Sequence, residues 1–167
     1  LLSRASTDLD SQQSPTFEEV NWQSNIGPEY KADDQVELRG IRIGSTREDS
    51  PNLIFIPEIF DQAENWLQFF TNPNNKYKVF ELQIIQQRNV YIIYPRNFGN
   101  SDRHEIVNWE SHANDILRFM YQHRISMATL AGHGIGGKIA LAAACYHYDK
   151  VTGFYGVDTT PTNQYYF

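Results

Sequence analysis

Apolar residues along this chain fall into two kinds of stretch. Short runs occur at Asn52–Ile56 (NLIFI), Val90–Tyr94 (VYIIY) and Met127–Ala131 (MATLA), each bounded by proline, glycine or polar residues. Runs of that length suit strands buried on both faces of a sheet. Between them the spacing changes. Trp66, Leu67, Phe69 and Phe70 suit the buried side of a helix that starts near Gln62 and is broken by Pro73-Asn74-Asn75. Val79, Phe80, Leu82, Ile84 and Ile85 suit a second helical piece. Trp109, Ala113, Ile116, Leu117 and Met120 recur at helical spacing over Trp109–His123. The alanine-rich stretch Lys138–Tyr148 is helical in composition, and Val151–Val157 is again strand-like, with Asp158 at its end and Pro161 beyond. Upstream, Val36, Leu38, Ile41 and Ile43 alternate around Gly40 within Gln35–Gly44, which predicts one or two antiparallel strands. Strands alternating with helices are βαβ units. The expected architecture is α/β, a mostly parallel sheet with helices on both faces.

Residues 1–34 lack sustained periodicity. Phe17, Val20, Trp22 and Tyr30 are scattered among Pro15, Gly27, Pro28 and polar residues. This segment reads as an extended arm that orders on a surface, its own or a partner's. Residues 35–161 form the expected domain and 162–167 a tail. The 167 residues, 41% hydrophobic and 14% aromatic, suffice for one folded domain with a core. A net charge of -6 without a Lys/Arg cluster argues against nucleic-acid binding. No apolar run is long enough to cross a bilayer. The single cysteine, Cys145, cannot form an internal disulfide, and its place in the alanine-rich helix predicts a buried, unreactive thiol. No Cys/His spacing suits zinc, and no cofactor is expected. Leu1–Thr7 (LLSRAST) fits the end of an organelle presequence, whereas Asp8 and Asp10 do not. The expected compartment is the mitochondrion, with an intracellular soluble protein as the alternative.

The stretch that organises the chain is Met127–Tyr148, MATLAGHGIGGKIALAAACYHY: apolar run, glycine-dense corner, then helix. Gly132-His133-Gly134-Ile135-Gly136 follows the spacing of G-x-S-x-G, the corner that lifts a serine nucleophile out of a strand-to-helix turn. On this match, extended by Gly137, Lys138 and Ala140, the chain resembles the N-terminal part of the α/β-hydrolases, and most of all the abhydrolase-type esterases. The resemblance runs from Gln35 to Pro161. Pro95–Ser101 (PRNFGNS) is similar to the family's loop after the fourth strand: Arg96, Gly99 and Ser101 match, while Tyr94 stands where the family has aspartate. By the same resemblance, Asp158 is the position of the triad acid.

Three departures set this chain apart. Gly134 occupies the nucleophile position and carries no hydroxyl. Pro57-Glu58 aligns with the family's His-Gly pair that shapes the oxyanion hole. There a proline offers no N–H, and a carboxylate would repel an oxyanion whose donors are normally worth about 3 kcal/mol each. The family's catalytic histidine follows its last strand, beyond Phe167. No catalytic residue is therefore expected, and three losses together read as an abandoned site.

Other candidates have plainer readings. His133 beside the corner is expected to pack rather than act as a base. Ser101 lies in another loop without an activating partner. His104, His112, His123 and His147 are scattered; His112 and Asp115 share a helix face that would suit a metal, but a solvated face is the expectation. The amides at the start of the helix after Gly134 could hold an anion. By the family's strand order, Val151–Val157 is a sheet edge, and edges are normally paired or covered. Val151, Phe154 and Val157 of that strand, with Tyr165, Tyr166 and Phe167 of the tail, are thus candidate contacts for other protein subunits. The expected function is a catalytically inactive hydrolase-like accessory subunit of a mitochondrial assembly, of the respiratory chain or the ATP synthase. The alternatives are a serine esterase or thioesterase completed by another chain, or a small-ligand-binding pseudoenzyme.

Overall fold

The computed structural model describes residues 17–23, 36–45, 49–71 and 87–161. Among them, six strands form one sheet in the order β1-β2-β4-β3-β5-β6. The strands are β1 Phe17–Gln23, β2 Glu37–Gly44, β3 Asn52–Ile56, β4 Asn89–Tyr94, β5 Ala128–His133 and β6 Val151–Val157. β1 pairs antiparallel with β2, and β2 antiparallel with β4. The pairs β4–β3, β3–β5 and β5–β6 are all parallel. The three described α-helices are α1 Ala63–Thr71, α2 Trp109–Gln122 and α3 Ile135–Tyr146.

The apolar runs became the centre of the sheet. All six residues of β4 are buried, and Ile54, Phe55 and Ile56 of β3 are buried beside it. Phe55 packs against Trp66 and Phe70 of α1. Its neighbour Ile54 is in register with Tyr91, whose ring meets Phe119 of α2 at 5.2 Å. Successive strand residues face opposite sides, so α1 and α2 cover opposite faces of the sheet. α3 packs on α2, β5 and β6.

Two expectations about burial are corrected here. Cys145 is exposed, because it falls on the outer side of α3 rather than on the side of Ile139, Ala140 and Ala143 that meets the sheet. His112 and Asp115 face inward, not to solvent. Phe17–Gln23, within the stretch read as an arm, pairs with Glu37–Ile43 of β2 as an outer strand. The helical piece at Val79–Ile85 and the tail residues Tyr165, Tyr166 and Phe167 lie outside the described residues.

Candidate functional site

The site is the corner between β5 and α3, at the C-terminal end of the parallel strands. Gly134 makes the turn with φ +53° and ψ -118°. Few residues other than glycine take that backbone without strain. The turn is tied on both sides: Gly134 N donates to Val157 O at 3.0 Å, and Thr159 Oγ1 donates to Gly134 O at 2.8 Å. Close approach of α3 to β3 makes the corner tight, since a Cβ at Gly136 would lie 2.7 Å from Ile56 C.

Glu58 comes into this corner from the loop after β3. Its Oε1 accepts from Ile59 N and its Oε2 from Ile135 N, each at 2.8 Å. The carboxylate thus sits on two converging backbone amides, one of them in the first turn of α3, where the helix dipole favours an anion. A Cβ at position 134 would overlap Glu58 Oε2 and lie 2.7 Å from Glu58 Cδ. The space a residue-134 side chain would enter is filled by Glu58. The sequence placed a repelling charge near these donors. The structure puts the charge on them, and the first donor belongs to Ile59, one residue past the Pro57-Glu58 pair.

Beside the plugged corner, His133 Nδ1 lies 3.0 Å from Asp61 Oδ2. The same oxygen accepts from Trp66 Nε1 at 3.0 Å, and the His133 ring stacks tilted on Trp66. Burial pushes the Asp61 carboxyl up, but hydrogen bonds from His133, Trp66 and the Glu58 backbone outweigh it and leave it below the usual carboxylate range. Asp61 went unread in the sequence. Its signal was only an acid five residues before Trp66, which needs a known helix start to mean anything. A polar depression of about 360 Å³ opens here, lined by Phe60, Asp61, Glu64, Tyr94, Asn100 and Arg103.

The Tyr94 hydroxyl accepts from Ala63 N at the start of α1. Burial raises its phenol above the usual value, with the Ala63 N–H opposing and Glu64 and Asp61 reinforcing. Ser101 is buried and committed: its Oγ donates to Tyr94 O at 2.7 Å and accepts from Arg39 N at 2.9 Å. Arg96 and Asp115 form a bidentate pair, Nε to Oδ2 and Nη2 to Oδ1, both 2.9 Å and both fully buried. His112 beside them is held neutral by burial, helped by Arg96, with its pKa lowered to about 4. No cluster of ligating side chains suited to a metal occurs among the described residues. Asp158 lies next to Val157 with φ +47°, and its side chain is exposed.

The fold and site together define an α/β protein whose parallel strands lead into a strained corner, with two amides converging where a nucleophile's side chain would lie. The sequence model of the α/β-hydrolase fold matches residues 51–166, and the chain belongs to that family. It is 26% identical over 91 residues to ethanol acetyltransferase 1 of Kluyveromyces lactis, covering 54% of this chain and 25% of that protein. It is 26% identical over 85 residues to esterase YbfF of Escherichia coli, covering 51% of this chain and 34% of the esterase. A thermophilic esterase from Thermogutta terrifontis superposes with a TM-score of 0.66 at 16% identity, over 89% of this chain and 48% of that one. The chain thus spans less than half the length of each of these proteins.

Proposed function

We propose that this α/β-hydrolase-fold chain hydrolyses no ester itself and serves as an accessory subunit, bound to other proteins. The observation that carries the reading is Glu58: its carboxylate holds the two amides that would stabilise an oxyanion, and it fills the side-chain space of a residue 134 that is glycine. A negative charge already on the donors leaves no preorganised site for a second one. The partner side of the reading draws on β6. It is the last strand of the sheet among the described residues, it has no charged residue or proline to blunt it, and Tyr155 and Val157 are exposed while Val151 and Phe154 pack partly on the core. We assign the compartment to the mitochondrion, in a respiratory-chain or ATP synthase assembly, on the arginine- and serine-bearing residues Leu1–Thr7 and the net charge of -6.

A fluorophosphonate probe tests the first half and a photo-crosslinking residue at Tyr155 the second, both in the natively purified protein. The expected result is an unlabelled chain that crosslinks to another polypeptide. Labelling of any serine of this chain refutes the inactive reading, and a chain purified as a lone monomer without crosslinks refutes the accessory one. The enzyme alternative draws on the relatives named as an esterase and an acetyltransferase. It requires a nucleophile other than Ser101, whose hydroxyl is already bonded on both sides.

A further inference from the structure

We propose that Glu58 is a plug: it occupies the corner in place of a side chain at position 134, so the two residues are alternative occupants of one space. The inference deepens the reading of an inactive corner, on which it rests, by naming what closes it. Three observations converge. The carboxylate uses both oxygens, one on each amide, so its seat is specified at both ends. The side-chain position of residue 134 coincides with that carboxylate, the mobile end of the Glu58 side chain and not backbone, so the neighbour that must give way is Glu58. No side chain caps α3, whose N-cap is Gly134 itself, so the cap comes across the corner from Glu58.

Two consequences follow. While Glu58 is seated, neither a residue-134 side chain nor a ligand oxygen reaches Ile59 N and Ile135 N. Any side chain at 134 must expel Glu58, even though Glu58 is still in the chain. A serine at 134 therefore meets the two amides only with Glu58 displaced.

The test is a double-mutant cycle with Glu58→Ala, Gly134→Ala and both, read by urea midpoint and by hydrogen exchange at Ile59 and Ile135. Glu58→Ala is expected to speed exchange of both amides at least tenfold, with the core amides of β4 unchanged. Gly134→Ala is expected to do the same while retaining Glu58. Adding Glu58→Ala to Gly134→Ala is expected to leave the midpoint where it was, since the carboxylate is already displaced. Midpoint shifts that add, or protected amides in either single variant, overturn the proposal. If Gly134→Ala does not fold, exchange in Glu58→Ala decides, and folding of the double variant supports the proposal. Serine labelling of the parent chain would sink the inactive reading and leave this cycle untouched; an additive cycle would do the reverse.

Discussion

Asp115→Ala leaves a guanidinium stranded in the core. Arg96 is fully buried, meets Asp115 through two hydrogen bonds of 2.9 Å, and donates its third contact from Nη1 to Ile106 O at 3.1 Å. Arg118 Nη1 lies 3.9 Å from the same carboxylate, so the substitution removes the anion shared by two cations. Removing one partner of a buried pair costs about 3–5 kcal/mol, because the other charge keeps its desolvation penalty without its compensation. A domain of this size loses about 2–4 °C of melting temperature per kcal/mol, so the expected drop is about 6–20 °C. Removing both charges, as Arg96→Met with Asp115→Leu, leaves nothing stranded in the Arg96 position and is expected to recover most of that loss. Thermal and urea unfolding of the two variants provide the check. A single variant within about 1 kcal/mol of the parent would refute the reasoning. A double variant no more stable than the single would do so as well, by showing that the loss comes from packing and not from an uncompensated charge.

Two further outcomes follow from the site. The folded His112 resists protonation down to about pH 4, and its Nδ1 has no hydrogen-bond partner among the described residues. The unfolded chain protonates it from about pH 6.5. As pH falls between those values the unfolded state takes up a proton that the folded state refuses, so stability is lost, by about 3 kcal/mol over the window. His112→Gln is expected to flatten that part of the stability–pH curve, and parallel curves for variant and parent would exclude the mechanism. Ser101→Ala is expected to cost about 1–2 kcal/mol in urea unfolding, since the Arg39 amide and the Tyr94 carbonyl both lose a partner. An unchanged midpoint would show that the hydroxyl is not the bridge described.

Much of the fold was legible because the signals were local. β3 and β6 have the bounds read from their apolar patterns, and α2 begins at Trp109, where Asn108 and Ser111 form a capping box. Where the reading missed, the deciding partner was distant in sequence. β1 shows no alternation to read, because an outer strand is held by its ladder to β2. His112 and Asp115 were read as a solvated face of a helix whose apolar residues are Trp109, Ala113, Ile116, Leu117 and Met120; Arg96, nineteen residues before Asp115, draws the carboxylate inward. Cys145 sits in an apolar run whose outer side does not meet the sheet.

The sequence alone determined the order of the described elements from β2 onward, the strand-to-helix corner and the glycine at 134, because each depends on residue type and on neighbours a few positions away. Only the tertiary structure decided what fills the corner. Glu58 and Ile135 are 77 residues apart, and nothing in either residue's surroundings along the chain links them. The parallel pairing of β3 with β5 brings the ends of those strands side by side, and that places the Glu58 carboxylate on the first amide of α3.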